Sequence, residues 1–113
     1  MHLAEFELDW DARRATRAGR ELRLGPKEFY LLGFLLSNPN KIFRREHLAR
    51  VLWCEPTVDL RTVTAIVSRL RKVINRGGYP DPIRCLRGTG YQFRSTLDGL
   101  ALQLAKRPKK RKL

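Results

Sequence analysis

The sequence predicts an α+β domain in which a small antiparallel sheet comes first, three helices follow and a β-hairpin ends the domain. Three observations support this order. Residues 5–24 alternate charged and apolar side chains, the period of strands with one solvated face. Residues 26–74 carry apolar residues at helical spacing. Residues 83–94 form two short runs on either side of Gly88-Thr89-Gly90, which is typical of a hairpin.

The predicted sheet is built from three short segments. Glu5 to Trp10 alternates most regularly, and Arg14 to Thr16 is a further candidate strand. Ala18-Gly19-Arg20 supplies a turn, after which Glu21 to Leu24 alternates again. We therefore expect an antiparallel sheet that leaves one face in water.

The first helix is expected to open at Gly25-Pro26. Proline suits the first helical position because its missing N–H has no partner there in any case. Glu28 complements the positive end of the helix, and Pro39 marks its end. This helix should be the most buried element, through the apolar residues Phe29, Leu31, Leu32, Leu35 and Leu36.

The second helix is predicted over Arg44–Trp53, with Ile42-Phe43 leading into it. Its inner stripe should contain Leu48, Val51 and Leu52. The residues from Cys54 to Val58 include a proline and are predicted to form a turn or loop.

The third helix is predicted from about Asp59 to Ile74, with Asp59 or Thr57 as its cap. Its apolar stripe is regular and contains Val63, Val67, Leu70 and Ile74. Short polar and cationic side chains occupy its other faces: Arg61, Thr64, Ala65, Ser68, Arg69, Arg71 and Lys72.

The hairpin should run from Ile83 to Arg94, and both of its arms carry arginines, Arg84, Arg87 and Arg94. The domain is expected to span residues 1–96. Residues 97–113 are expected to be an extension, with a short helical part up to Ala105 and a disordered basic tail after it.

Charge is the most informative part of the composition. The chain has 24 lysines and arginines against 11 acids, a net charge of +13, and residues 106–113 hold six bases and no acid. Such a balance indicates a polyanionic partner, with nucleic acid as the first candidate and an anionic membrane surface as the second.

Several function classes are not supported by the residues. The longest apolar stretch is too short to cross a bilayer, and no secretion signal opens the chain. Cys54 and Cys85 lack the spacing of a zinc site and are expected to be reduced thiols. The acids, serines and histidines form no catalytic arrangement, and no phosphate-binding loop is present. We therefore expect no enzyme, cofactor or metal.

Three helices, a short turn between the second and third, and a basic hairpin predict a winged helix-turn-helix. The third helix has an apolar face to anchor it and a polar, cationic face that can enter the major groove of duplex DNA. The hairpin would place arginines at the adjacent minor groove, where the potential is most negative.

The residues resemble the effector domains of OmpR/PhoB-type response regulators over roughly residues 3–95. The matching segments are Gly25 to Leu32, Arg45 to Leu48 with Trp53, Arg61-Thr62-Val63 with Arg69 to Lys72, and Arg87 to Phe93. The resemblance implies four N-terminal strands, three helices and a C-terminal hairpin. It also implies head-to-tail binding to direct promoter repeats, with the loop before the third helix contacting RNA polymerase.

The family's roles transfer by position. Arg69 matches an arginine that reads bases in the major groove, and Arg61, Arg71 and Trp53 match positions that contact phosphates. Arg87 matches the wing arginine at the minor groove, and Tyr91 matches a hairpin residue near the backbone. For Trp53, packing in the core is an equally good interpretation, because an indole fits well at a helix end. Thr64, Ala65, Ser68, Lys72 and Thr89 complete the predicted DNA interface.

The sequence also departs from the family pattern. Ile66 and Ser68 stand where many relatives have polar or basic DNA contacts, and Ile66 is expected to extend the core stripe instead. Cys85 replaces a hydroxyl at the wing. Arg44 stands where relatives usually have a Ser or Thr cap, which should weaken the start of the second helix by about 1 kcal/mol.

No segment of the sequence matches the receiver domain of such regulators, so the chain is expected to be an isolated effector domain or a stand-alone regulator. Its tail, Pro108 to Leu113, resembles a nuclear localisation signal but is expected to act as a basic arm that adds non-specific DNA affinity. A cytoplasmic location is expected unless that signal is functional. An RNA-binding or ribosome-associated module, and a winged-helix protein-interaction module, remain as alternatives.

Overall fold

The computed structural model describes residues 2–3, 5–53 and 59–94. Within these residues, two antiparallel sheets flank three helices. The strands and helices, in chain order, are β1 (His2–Leu3), β2 (Phe6–Asp9), β3 (Arg14–Arg17), β4 (Arg20–Leu22), α1 (Pro26–Ser37), β5 (Ile42–Phe43), α2 (Arg45–Trp53), α3 (Leu60–Ile74), β6 (Ile83–Leu86) and β7 (Gly90–Phe93). The predicted α+β class and winged helix-turn-helix arrangement are confirmed.

The N-terminal sheet has the strand order β1-β2-β3-β4. Its four strands match what the family resemblance implies, although the alternation pattern alone did not predict β1. The β3–β4 turn has positive φ at Ala18 (53°) and Gly19 (82°), as a two-residue hairpin turn of type I′ requires. The last strand lies slightly earlier than predicted, over Arg20–Leu22.

Helix α1 begins with Pro26 at its first position and ends at Ser37, shortly before Pro39. Its apolar residues are buried on both sides, between the N-terminal sheet and the other helices. At Gly33 a side chain would overlap the indole of Trp10, so glycine allows this close approach. The expectation that this helix is heavily buried is confirmed.

Helix α2 begins at Arg45, one residue later than predicted. The carbonyl of Arg44 accepts a hydrogen bond from the N–H of Leu48 at 3.0 Å, so Arg44 occupies the N-cap position. The buried stripe contains Leu48, Ala49 and Leu52, whereas Val51 is only half-buried. The assignment of Val51 to the inner stripe was therefore wrong.

Helix α3 matches its prediction closely. The side chain of Asp59 accepts a hydrogen bond from the N–H of Arg61 at 2.9 Å and caps the helix. The predicted stripe is fully buried, and Ile66 joins it at 5% exposure, as expected. These residues form the centre of the core together with α1 and Leu48.

The second sheet has the order β5-β7-β6, so Ile42 and Phe43 form a strand that pairs with Gln92 and Tyr91. Ile42 and Phe43 do lead into α2, as predicted, but their pairing with β7 was not predicted from the sequence. At Gly90 a side chain would overlap the carbonyl of Phe43, so the hairpin lies directly against the start of α2.

A buried arginine joins the N-terminal sheet to the end of α3. Arg17 is 3% exposed. Its Nη1 donates to the carbonyl of Ile74 at 2.8 Å and to Asn75 Oδ1 at 2.9 Å, and its Nη2 donates to the carbonyl of Pro80 at 2.7 Å. Its Nε pairs with Glu5. These contacts fix how α3 lies against the sheet.

Two predicted segments lie outside the described residues. One is the loop from Cys54 to Val58, including the candidate cap Thr57. The other is the extension and basic tail over 97–113, so its predicted helical part and its role stay predictions.

Candidate nucleic-acid interface

Helix α3 presents a polar face opposite its buried stripe. Four of the predicted contact residues on it are exposed, namely Arg61, Thr64, Ser68 and Lys72, and Ala65 is half-buried among them. The spacing of these residues places them on one side of the helix, because α-helices repeat every 3.6 residues. The face combines small side chains that allow close approach with cationic side chains at its two ends.

Arg69 lies at one margin of this face and is ion-paired. Its Nη1 donates to Glu28 Oε2 of α1 at 3.0 Å. The arginine side chain is 63% exposed, whereas the glutamate side chain is only 10% exposed. The guanidinium is therefore held at the protein surface by Glu28, and its exposed side remains accessible to a ligand.

Arg71 lies at the other margin and pairs with Asp81, which precedes β6. Its Nε donates to Asp81 Oδ2 at 2.8 Å. Burial raises the pKa of Asp81, but hydrogen bonds from the N–H of Ile83, from Asn75 and from Arg71 outweigh it, and the net pKa is lowered. The pair links α3 to the base of the hairpin.

Arg61 pairs with the capping residue. Its guanidinium Nη2 lies 2.9 Å from Asp59 Oδ2, and both side chains are well exposed. The side-chain hydrogen bond from Arg61 lowers the pKa of Asp59. Exposed pairs of this kind are weak, so Arg61 can exchange Asp59 for another anion at little cost.

The hairpin β6–β7 forms the wing. Its tip is tight, with the N–H of Thr89 donating to the carbonyl of Leu86 at 2.8 Å and a φ of 75° at Gly88. Arg87 and Thr89 are exposed there, as predicted for contact residues. Tyr91 differs, because its side chain is 6% exposed and belongs to the core. Only the part of Tyr91 that lines the neighbouring groove is available to a ligand.

A groove of about 380 Å³ runs between the wing and the starts of α2 and α3. It brings together four predicted site residues, Thr64, Arg87, Thr89 and Tyr91. Two cations that the sequence analysis did not assign to the site, Arg44 and Arg45, line the same groove. In the sequence they are visible only as two consecutive arginines at the start of α2. The pairing of β5 with β7 is what places them beside the wing.

Trp53 ends α2 at the edge of the core. Its side chain is half-buried against the core cluster. Lys27 Nζ lies 5.1 Å from the centre of its ring and donates to the carbonyl of Leu52 at 2.8 Å. The indole thus packs inward with one edge open, which fits both interpretations of Trp53.

Other kinds of site find little support in the part of the chain that the structure describes. No group of His, Cys, Asp and Glu residues is arranged to hold a metal ion there. No helix among the described residues has the length and apolar character needed to cross a bilayer. The exposed aromatic residues Trp10 and Tyr30 pack against each other, with ring centres 5.9 Å apart, rather than forming a row of stacking platforms.

Comparison with known proteins agrees with this fold. The family model described as "Transcriptional regulatory protein, C terminal" matches residues 19–93. The phosphate regulon transcriptional regulatory protein PhoB of Rhizobium meliloti is 45% identical over 96 residues, covering 84% of this chain and 42% of that protein. The transcriptional regulatory protein SrrA of Staphylococcus aureus is 42% identical, covering 82% and 40%. This chain thus spans less than half the length of these relatives.

Solved structures give the same result. The DNA-binding domain of the response regulator AdeR, in complex with an intercistronic region, has a TM-score of 0.78 and 26% identity, covering 85% of this chain and all of that one. The DNA-binding domain of CpxR from Escherichia coli has a TM-score of 0.71 and 26% identity, covering 84% and 95%. The chain therefore belongs to the family of transcriptional regulatory protein C-terminal domains, the OmpR/PhoB-type winged helix-turn-helix effector domains.

Proposed function

We propose that this domain binds duplex DNA sequence-specifically, with α3 in the major groove and the β6–β7 wing at the adjacent minor groove, and so regulates transcription. The observation that carries the proposal is the polar face of α3 beside the cationic groove under the wing. A helix fits the major groove of B-form DNA, and its side chains can then reach base edges. The solved complex of the AdeR DNA-binding domain with an intercistronic region supports DNA binding by a domain of this fold.

In this proposal Arg69 reads a base in the major groove of the DNA. Arg61, Arg71 and Lys72 bind phosphates along the two edges of that major groove. Thr64, Ala65 and Ser68 are short enough to let the helix backbone approach the base edges. Arg87 enters the minor groove from the wing tip, with Thr89 beside it. Trp53 contributes the exposed part of its half-buried indole, and Tyr91 contributes the part that lines the groove between the wing and α2.

The structure adds Arg44 and Arg45 to the proposed phosphate contacts. Arg45 Nη1 lies 3.4 Å from the hydroxyl oxygen of Thr64, so α2 and α3 meet at the mouth of the groove. The residues that line the groove between α2 and the wing include three arginines, Arg44, Arg45 and Arg87, against one acid, Glu46, so the lining is net positive and suits a phosphate. Each such contact releases counterions from DNA and makes binding sensitive to salt.

We further propose that two copies bind head to tail on direct repeats and that the activity is cytoplasmic, at the chromosome. The family position supports both statements. The proposal includes no enzymatic step, since binding alone accounts for the arrangement of the site. Contact of residues 54–58 with RNA polymerase remains a prediction.

The test is a selection of bound duplexes from a random library, followed by titration of the selected duplex, a scrambled duplex and a structured RNA at two salt concentrations. The proposal predicts a repeated half-site and a large preference for the selected duplex that survives at the higher salt. Equal affinity for every duplex and for RNA would exclude sequence-specific regulation and indicate non-specific binding of polyanions. Tighter binding of the structured RNA would favour the RNA-binding alternative.

A further inference from the structure

Glu28 is the only buried acid among the described residues of the chain. It lies in the first turn of α1, away from the polar face of α3, and its Oε2 accepts a hydrogen bond from Arg69 Nη1 at 3.0 Å. Burial of a carboxylate is costly unless a partner compensates it. The fold therefore keeps a buried carboxylate, despite its cost in free energy, in contact with Arg69, the residue that we propose reads a base.

This carboxylate lies between the N-terminal end of α1 and Arg69. Its Oε1 lies so close to Gly25, the N-cap residue of α1, that a side chain at Gly25 would come within 2.5 Å of it. The positive end of the helix favours an anion at this place. Its Oε2 is taken by Arg69. Glu28 is thus a nearly buried partner, with its side chain 10% exposed, for an arginine whose side chain is 63% exposed.

The contact also determines which edge of the guanidinium remains available. Glu28 engages Nη1, while Nε and Nη2 of Arg69 make no hydrogen bond to any described residue. The Nε–Nη2 edge is a planar fork of two donors, and the side chain is 63% exposed. Guanine offers two acceptors, O6 and N7, at matching spacing in the major groove.

We propose that Glu28 is a positioning residue that presents the Nε–Nη2 edge of Arg69 to a guanine, and so sets the preferred base at that position without touching DNA. This inference rests on the proposed function. It deepens that proposal by naming a residue outside the interface that determines specificity.

The direction in which loss of Glu28 changes DNA affinity distinguishes a positioning role from a purely electrostatic one. An arginine loses rotamer freedom when it binds a base, and a side chain already held in place loses less. Contacts to phosphates accept a donor in many orientations and gain little from such support. Removing the negative charge of Glu28 should itself favour a polyanion. Loss of Glu28 should therefore weaken specific binding while leaving non-specific binding equal or stronger.

The test compares Glu28→Met, Glu28→Gln and the full wild-type chain. Affinity is measured for the selected duplex, for duplexes with single base-pair changes and for a scrambled duplex. With Glu28→Met we expect about three- to ten-fold weaker binding of the selected duplex and unchanged or up to about two-fold tighter binding of the scrambled one. Glu28→Gln keeps an acceptor and should lie between Glu28→Met and wild type.

Asp81→Asn is the matched control, because Asp81 pairs with the neighbouring Arg71, which we assign to a phosphate. This variant should change both affinities by the same factor and leave their ratio unchanged. In the Arg69→Ala background, Glu28→Met should cause no further loss of specificity. A lower folded fraction would reduce both affinities equally, so the ratio remains informative even where Glu28→Met destabilises the domain.

The inference is overturned if Glu28→Met keeps the wild-type ratio, if its loss of preference is spread over all base pairs, or if it binds the selected duplex more tightly. The last result would mean that Glu28 restrains Arg69 instead of presenting it. Failure of the proposed function has a different signature, since the wild-type chain itself would then show no preference among duplexes.

Discussion

Arg17 of β3, which contacts the C-terminal end of α3, and Arg69 of α3 itself both pair with an acidic side chain, but the fold uses them differently. Arg17 is buried, and each of its three guanidinium nitrogens donates to an acceptor of the protein. Arg69 uses one donor group on Glu28 and leaves the opposite edge in solvent. An arginine whose donors are all satisfied internally is structural, whereas one that is held on one side and open on the other is suited to binding a ligand.

The largest expected effect is the loss of stability on replacement of Arg17. Arg17→Met would leave the carbonyls of Ile74 and Pro80 and the carboxylate of Glu5 without their donor. We expect the free energy of unfolding to fall by about 3–5 kcal/mol, as for other buried pairs that lose one partner. Urea denaturation measures this change.

The matched control is Arg13→Met, since Arg13 is an exposed arginine that lies 5.8 Å from the ring centre of Tyr30. Its loss should cost no more than about 1 kcal/mol. If Arg17→Met were as mild as Arg13→Met, the view of Arg17 as the anchor of α3 would be wrong.

Arg69→Ala should act mainly on DNA binding. We expect binding of the selected duplex to weaken by about 1–3 kcal/mol, with relaxed preference at one base pair. The free energy of unfolding should also fall, because the nearly buried Glu28 carboxylate loses its partner, so affinities are compared at equal folded fraction. Titration of duplexes with single base-pair changes measures both effects. Arg23→Ala, an exposed arginine of the N-terminal region, is the control and should keep the full preference. An unchanged affinity of Arg69→Ala would remove Arg69 from the interface.

Arg44→Ser should raise the stability of the domain and reduce the salt dependence of its DNA binding. A serine at this N-cap position should stabilise α2, raising the free energy of unfolding by about 1 kcal/mol. Loss of the cation should reduce the slope of log affinity against log salt by about 0.9, the share of one phosphate contact. Arg44→Gln removes the charge without adding a good cap, so it should show the second effect alone. An unaltered salt slope in both variants would exclude Arg44 from the phosphate contacts.

The smallest effect expected depends on pH. Because the folded pKa of Asp81 is lowered, its contribution to stability is present above its unfolded pKa near 3.9 and is lost as the pH falls through the folded value. Asp81→Asn should lower the free energy of unfolding by about 1 kcal/mol at pH 7. The difference from wild type should shrink at about pH 3. A constant difference at both pH values would mean that ionisation of Asp81 is not its source.

The parts of the fold that the sequence predicted well are those that local chemistry determines. Asp59 as a cap, Pro26 at the start of α1 and the stripe of α3 all follow from neighbours within one helix. The exposed face of α3 follows from the same periodicity. Val51 shows the limit of this reasoning, because helical spacing alone cannot decide which residue at the edge of a stripe is fully covered.

The features that the sequence did not predict depend on contacts between distant residues. The bond from Arg17 to Ile74 spans 57 positions, and the bond from Arg69 to Glu28 spans 41. Glu28 suits a helix start and Arg69 suits a basic helix face, so neither residue reveals the other. The pairing of Ile42-Phe43 with β7 is equally remote in sequence, and without it Arg44 has no visible relation to the wing.

The central claim is that α3 reads sequence in the major groove through Arg69. The most direct measurement replaces each guanine of the selected duplex in turn with 7-deazaguanine, which lacks only the N7 acceptor, and compares wild type with Arg69→Ala. The account predicts one guanine at which the change weakens wild-type binding but leaves Arg69→Ala unaffected. Wild-type binding that tolerates every replacement, or a sensitive position that is unchanged in Arg69→Ala, would contradict it.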